Sequence, residues 1–192
     1  MKIAIHMIQT HYDSPLGPII LAASHGRLAG LWFVGQRHLP DMTSWATASA
    51  EPVLQSARQQ LDEYFAGQRQ HFDLSLDLSS GSPFQQAVWQ ALLAIPFGAS
   101  SSYGAVSAVI GRPRAVRAVG GAIGRNPLGI VVPCHRVIGA DGSLTGYAGG
   151  LDRKTALLRL EGLPCAAPGR PKQASSPCGG SEDTQCRAWG PT

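Results

Sequence analysis

The sequence predicts a mixed α/β (α+β) chain: a strand-rich first domain, a mostly helical second domain with a helix-turn-helix, and a disordered C-terminal tail. Three observations predict it. Residues 3–34 read as short strands separated by turn signals. From Ser82 onward, apolar residues recur at helical spacing between caps and breakers. After Pro164 all periodicity is lost.

The elements follow in order. Met7 to Tyr12 and Pro18 to Ala23 form a hairpin around Asp13-Ser14-Pro15-Leu16-Gly17. His25-Gly26 turns the chain into a third strand, Leu28 to Val34, and residues 35–50 read as a polar loop. Pro52 to Phe65 is expected as a helix, with Val53, Leu54, Ala57, Leu61, Tyr64 and Phe65 at helical spacing and Gly67 as its stop. His71 to Leu78 alternates apolar and polar residues, which predicts a strand. Ser79 to Ser82 then reads as a domain boundary.

In the second block, Ser82 caps a helix to about Ile95, with Pro83 in its first turn and Phe84, Val88, Leu92 and Ile95 as its stripe. Pro96-Phe97-Gly98 breaks it. A short helix starts at Ser101 or Ser102 and ends by Gly111; Pro113 opens another to about Gly124. Two helices joined by a tight turn make a helix-turn-helix. Ile130 to Val132 is expected as a short buried strand running into Pro133-Cys134-His135-Arg136-Val137-Ile138. Asp152 caps a last helix with Ala156, Leu157 and Leu160 inward, stopped by Gly162. The expected division is 1–80, 81–164 and a disordered 165–192, with no internal repeat.

Composition narrows the classes. The chain has 192 residues, enough for one large domain or two small ones. No run approaches about 18 consecutive apolar residues, so no membrane span is expected. The start lacks a signal-peptide core, which predicts a cytoplasmic protein. Residues 81–164 hold eight Lys/Arg against three Asp/Glu, whereas residues 1–80 hold five against seven. That bias suits an anionic partner, although a solvated basic face produces the same count. The four cysteines are Cys134, Cys165, Cys178 and Cys186. Their spacing forms neither a disulfide framework nor a zinc site, so no metal is expected.

Two features carry chemistry. On the helix after Pro113, at roughly 100° per residue, Val116, Val119 and Ile123 share a core face. Arg114, Arg117, Gly121 and Arg125 lie opposite, flanked by Ala115, Ala118 and Ala122. Gly120 and Gly121 each cost about 1 kcal/mol against Ala in a helix. Small residues beside Arg let a helix lie close to a groove, and Arg fills the gap left by a displaced base. The second feature is Cys134, which alone reads as an inert buried thiol. His135 follows it, and a bend at Pro133 would let the pair cooperate directly or through water. Glu161 sits where the helix dipole disfavours an acid; it is either a frayed, solvated residue or one held by a partner, for which His135 is the candidate. Asn126, in the Arg125-Asn126-Pro127 turn, is either an Asx-turn residue or a brace for the Cys134 segment. A Cys–His pair also fits a cysteine hydrolase, which would need an oxyanion hole and a water path.

At these residues the sequence resembles the O6-alkylguanine-DNA alkyltransferases. Pro133-Cys134-His135-Arg136-Val137 resembles that family's active-site motif. Gly146-Tyr147-Ala148-Gly149-Gly150 resembles its substrate-pocket loop, and Arg114 to Gly121 its recognition helix. Ser82-Pro83-Phe84 with Val88-Trp89 resembles the start of its catalytic domain. The resemblance is dense over about 82–163. Ser14-Pro15-Leu16-Gly17 and Tyr64-Phe65-Ala66-Gly67 extend it thinly across the first half.

The resemblance implies a ribonuclease H-like first domain without nuclease function. It implies a single-use transfer of an alkyl group from guanine O6, with thymine O4 as a further candidate, onto Cys134. His135 would be the base through a water, Glu161 its orienter, and Asn126 a brace. Tyr103 would donate to the purine N3 and help rotate the target phosphate. Arg117 would replace the flipped base, with Arg114, Ala118 and Gly121 also against DNA. The carbonyls of Cys134 and Val137, the amide near Ala148, Tyr147 and Gly149 would form the pocket. The implied partner is double-stranded DNA gripped in the minor groove by a monomer. No cofactor is implied. Ala148 stands where other members carry Ser, so a backbone donor must suffice. Some relatives bind zinc in the first domain; with no Cys there, none is expected. A non-catalytic lesion-binding relative is the main alternative, against which the retained Cys134 speaks.

Overall fold

The computed structural model describes residues 7–163; the expectation for residues 165–192 lies outside them. β1 (Met7–Ser14) and β2 (Gly17–Ser24) form the expected hairpin, with Ser14 paired to Gly17. Gly17 has φ +106, which a side-chain-bearing residue tolerates poorly. Ser14 closes the turn by donating its hydroxyl to the Gly17 carbonyl at 2.6 Å. β3 (Arg27–Phe33) follows His25 and Gly26, both at positive φ as a tight primed turn requires. The sheet order is β3-β2-β1-β4, where β4 (Ala46–Thr47) pairs parallel with β1. β4 falls in the stretch expected as plain loop. Two residues leave no periodic signal, and only tertiary pairing defines them.

α1 (Pro52–Phe65) has the expected limits and buries Leu54, Ala57, Leu61 and Tyr64 against the sheet. The strand expected over His71 to Leu78 does not form. Among the described residues, one bridge, Leu28 to Leu76, is all that pairs there. Upstream of it, Gln60 on α1 takes both backbone groups of Asp73, at 2.9 and 2.8 Å. A helix side chain thus satisfies polar groups that a ladder would have used.

α2 (Pro83–Leu93) begins with a full capping box between Ser82 and Gln85. α3 (Tyr103–Val109) is capped by Ser102, and β5 (Ser101–Ser102) pairs parallel with β6 (Val137–Ile138). α4 (Val116–Gly124) starts later than the expected Pro113, because residues 112–115 form a turn closed by Ala115 N–H to the Arg112 carbonyl at 2.8 Å. Val116 therefore stands at the helix end and is 39% exposed rather than on the core face; Val119, Ala122 and Ile123 are the buried residues. Ile130 to Val132 is not a strand. Ile130 adopts φ +68, and the chain coils into a 3-10 turn over Cys134–Arg136. α5 (Leu151–Leu160) is capped by Gly150, with Asp152 inside its first turn, and buries Lys154, Thr155, Leu157 and Leu158.

The two halves share one core. Leu31 bridges to Leu128, donating its N–H to the Pro127 carbonyl at 2.8 Å. Arg153 of α5 donates to the Leu16 carbonyl at 3.0 Å and lies 4.4 Å over the Phe33 ring. Among the described residues, no helix is long and apolar enough to cross a membrane.

Candidate active site and nucleic-acid interface

The 3-10 turn that replaces the expected strand places Cys134, His135 and Arg136 in consecutive buried positions facing different neighbours. Pro133 supplies the bend, and its carbonyl accepts from Arg136 N–H at 3.0 Å. Asn126 braces the approach: its Nδ2 donates to the Val132 carbonyl at 2.8 Å, while its Oδ1 accepts from Leu128 N–H at 3.0 Å. Asn126 is thus both the turn residue and the brace.

His135 and Glu161 meet as expected. Nε2 and Oε1 are 2.8 Å apart, with both side chains fully buried. A carboxylate accepts, so Nε2 carries the proton and Nδ1 keeps its lone pair in the neutral ring. Nδ1 is buried and makes no hydrogen bond to any described protein atom, the Cys134 thiol included. Burial pushes the imidazole below its ordinary value of 6.5, against the pull of Glu161, so the ring is neutral near pH 7. Burial pushes Glu161 up, but His135 and Arg136 outweigh it and hold the carboxyl down at about 2. Burial also pushes the Cys134 thiol up; the Asn126 amide and the Lys154 ammonium oppose it. At rest the pair is thiol and neutral imidazole, which needs a proton transfer to become a nucleophile.

Three contributors escaped the sequence. Arg136 grips Glu161 with two nitrogens, at 2.8 and 3.0 Å, and donates to the Ile95 carbonyl at 2.6 Å. Its place beside His135 was the only signal. Lys154 is fully buried on α5, with Nζ donating to the Val137 and Thr145 carbonyls at 2.5 and 2.8 Å. Helical spacing gave no hint of a buried cation. Tyr64 of α1 donates its hydroxyl to Glu161 Oε1 at 2.7 Å, although its spacing marked it only as core.

Of the expected pocket residues, Tyr147 and Ala148 line a cavity of about 420 Å³, within the usual range for small-molecule sites, whereas Cys134, Val137 and Gly149 are not among its lining residues. Tyr103 and Gly120 come from the helix-turn-helix, and Tyr147 and Ala148 from the glycine-rich loop. Arg37 and His38, from the stretch expected as plain loop, complete the wall. Arg37 N–H donates to the Ala148 carbonyl at 3.1 Å, which ties the two loops together. Gly149 is required, since a Cβ there would sit 2.8 Å from the Tyr147 ring. Thr145 donates to the Tyr103 hydroxyl at 3.2 Å. The Val137 carbonyl already accepts from Lys154, and the Cys134 carbonyl from Val137 N–H, leaving one lone pair on each.

Outside the cavity, Arg112, Arg114, Arg117, Ala118 and Arg125 are exposed, and Gly121 is half-buried on the same side. A Cβ at Gly121 would meet only the Arg125 side chain, at 3.4 Å, and one at Gly124 would meet nothing. Among the described residues, these glycines answer to no packing need.

Fold and site together define a two-part protein that holds a buried, carboxylate-linked Cys–His pair behind a basic helix-turn-helix. Comparison with known proteins specifies it further. Residues 7–78 match the ribonuclease-like domain of 6-O-methylguanine DNA methyltransferase, and residues 83–163 match its DNA-binding domain. A Mycobacterium tuberculosis methylated-DNA–protein-cysteine methyltransferase is 51% identical over 154 residues, covering 79% of this chain and 92% of its own. A protein of the same name from Methanosarcina acetivorans is 47% identical over 152 residues, covering 79% and 96%. The crystal structure of Mycobacterium tuberculosis OGT in complex with DNA superposes with a TM-score of 0.76 at 49% identity, covering 81% of this chain and 93% of that one. The chain belongs to the 6-O-methylguanine DNA methyltransferase family.

Proposed function

We propose that this protein repairs DNA by direct reversal, moving an alkyl group from guanine O6 onto Cys134 once per molecule. The observation that carries the reading is the neutral, buried His135: Nε2 is committed to Glu161, and Nδ1 keeps a lone pair one residue from a buried thiol.

In this reading a water joins Cys134 to His135 Nδ1, since the two make no direct hydrogen bond. As the thiol gives its proton through that water to Nδ1, the imidazolium is stabilised by Glu161. The thiolate attacks the alkyl carbon in line. One S–C bond forms as the C–O6 bond breaks, and the bonding pair leaves on guanine. Tyr103 donates to N3 of the departing ring, which takes its final proton from water, while His135 releases its own to solvent. The second lone pairs of the Cys134 and Val137 carbonyls accept from the guanine amine, and the amide near Ala148 donates to O6. Lys154 favours the anionic sulfur. The thioether has no hydrolytic exit, so the protein is consumed.

Cys134 is only 7% exposed, so a stacked guanine is out of reach and the base must leave the duplex. The exposed arginines hold the backbone, Arg117 fills the gap, and Gly121 and Ala118 allow the approach to the minor groove. Residues 81–164 form the catalytic and DNA-binding domain, supported by 1–80, in a monomer that acts in the cytoplasm, where thiols stay reduced. Titrating the protein with an excess of duplex carrying O6-methylguanine tests the reading. One lesion repaired per molecule is expected; continued turnover would contradict it.

A further inference from the structure

Tyr64 sits on α1, in the half of the chain that carries neither the thiol nor the arginine helix. Its ring is 1% exposed and seated among Phe65, Phe72 and Phe97, with centroids 5.4, 5.4 and 6.3 Å away. A buried phenol needs a partner, and this one donates to Glu161 Oε1 at 2.7 Å across 97 positions of sequence. The same oxygen faces His135 Nε2 at 2.8 Å and Arg136 Nη2 at 3.0 Å, while Oε2 takes Arg136 Nε at 2.8 Å. Three donors therefore draw on one oxygen.

We infer that Tyr64 is a positioning residue for alkyl transfer: its hydroxyl ties Glu161 Oε1 to α1 and tempers the charge that this oxygen presents to His135. The inference rests on His135 acting as the base for Cys134. The charged groups acting on His135 are Glu161 at the end of α5, Arg136 in its own turn and Lys154 on α5. Tyr64 adds a neutral donor from α1. Its hydroxyl spreads the Glu161 charge over one more hydrogen bond, which keeps the imidazole from being captured as a resting cation. Remove it, and Oε1 pulls harder on Nε2–H. His135 then holds a proton to higher pH, where it cannot accept one from the thiol. The carboxylate also loses its tie to the first half of the chain.

The experiment follows transfer from free O6-benzylguanine across pH, so DNA binding plays no part. The wild-type protein should lose rate on the acid side as His135 protonates. In Tyr64→Phe that acid limb should move up by roughly half a unit to one unit, and the plateau should fall severalfold. Replacing Tyr64 with 3-fluorotyrosine, a stronger donor that keeps the hydroxyl and the packing, should move the limb down. Tyr12→Phe is the control: it removes a hydroxyl that donates to Asp62 on the same helix at 2.8 Å, away from the relay, and should leave the limb in place. A Tyr64→Phe profile that superposes on wild type, or an equal shift in Tyr12→Phe, overturns the positioning role alone. A 3-fluorotyrosine limb that stays put or moves up also overturns it, and needs no Tyr64→Phe protein. A wild-type protein that transfers with no acid limb overturns the reading of His135 beneath it.

Discussion

At the scale of the residue, Glu161 decides most. It is nearly fully buried and holds three neighbours at once, His135, Arg136 and Tyr64. Glu161→Gln leaves Arg136 buried without its counter-charge, which should destabilise the fold by about 3–5 kcal/mol. Transfer should also slow by about a hundredfold or more, as expected when a general base loses its orienting group; denaturant titration and single-turnover kinetics read the two losses separately. Of the three buried groups, two lose their stabilising contribution as pH falls and one as it rises. His135 is held below its ordinary 6.5, so its stabilising contribution is present above that value and erodes as pH falls. Glu161, held at about 2 against an ordinary 4.5, adds a second loss between pH 4.5 and 2. Cys134 is pushed above its ordinary 9.0, so its contribution is full below 9.0 and erodes above it. With respect to these three groups, stability should be flat between pH 6.5 and 9.0, and melting temperatures that climb steeply within that window would contradict the assignment. The His135–Glu161 contact was legible because an acid at a helix C-terminus breaks a local expectation, whereas Cys134 and Asn126 each kept an ordinary reading in the sequence. Lys154 and Tyr64 were not legible, because their spacing already explained them as helix residues and only the tertiary fold gave them polar partners.

At the scale of the element, α4 is the clearest case. Arg117→Ala should slow repair in duplex DNA more than reaction with free O6-benzylguanine, and equal losses would remove its role against DNA. Gly121→Leu separates fold from function, since its Cβ meets only a flexible arginine end. It should leave thermal stability unchanged or slightly raised and weaken duplex binding sharply; retained binding would show that the helix does not approach DNA on that face. Each arginine of the exposed set that contacts a phosphate should lower the salt dependence of binding by about one unit when replaced. The larger elements were legible in the sequence because caps, breakers and spacing agreed, as at Pro52–Phe65 and Ser82-Pro83. The failures have a common cause. At His71 to Leu78 and Ile130 to Val132 the apolar pattern was real, but Gln60 or a left-handed Ile130 redirected the backbone. Two-residue strands such as β4, β5 and β6 exist only through their partners.

At the scale of the molecule, the first half supports the second. Leu31 to Leu128, Arg153 to Leu16 and Tyr64 to Glu161 join the two through backbone, side chain and relay. The described residues should therefore unfold as one unit. Coincident urea transitions by near-ultraviolet and far-ultraviolet circular dichroism are expected, and two separated transitions would contradict a shared core. The fold class was legible because strand and helix patterns were segregated along the chain, whereas the docking of the two halves left no sequence signal. The coupling matters because Glu161 is held from both sides, by Tyr64 of α1 and by His135 and Arg136. The most direct test of alkyl transfer is the intact mass of the protein, followed by peptide mapping, after incubation with duplex DNA containing O6-methylguanine. A gain of one methyl group in place of one proton is expected, on Cys134 alone, with guanine restored in the DNA. Unmodified protein beside repaired DNA, or a methyl group on any other residue, would contradict it.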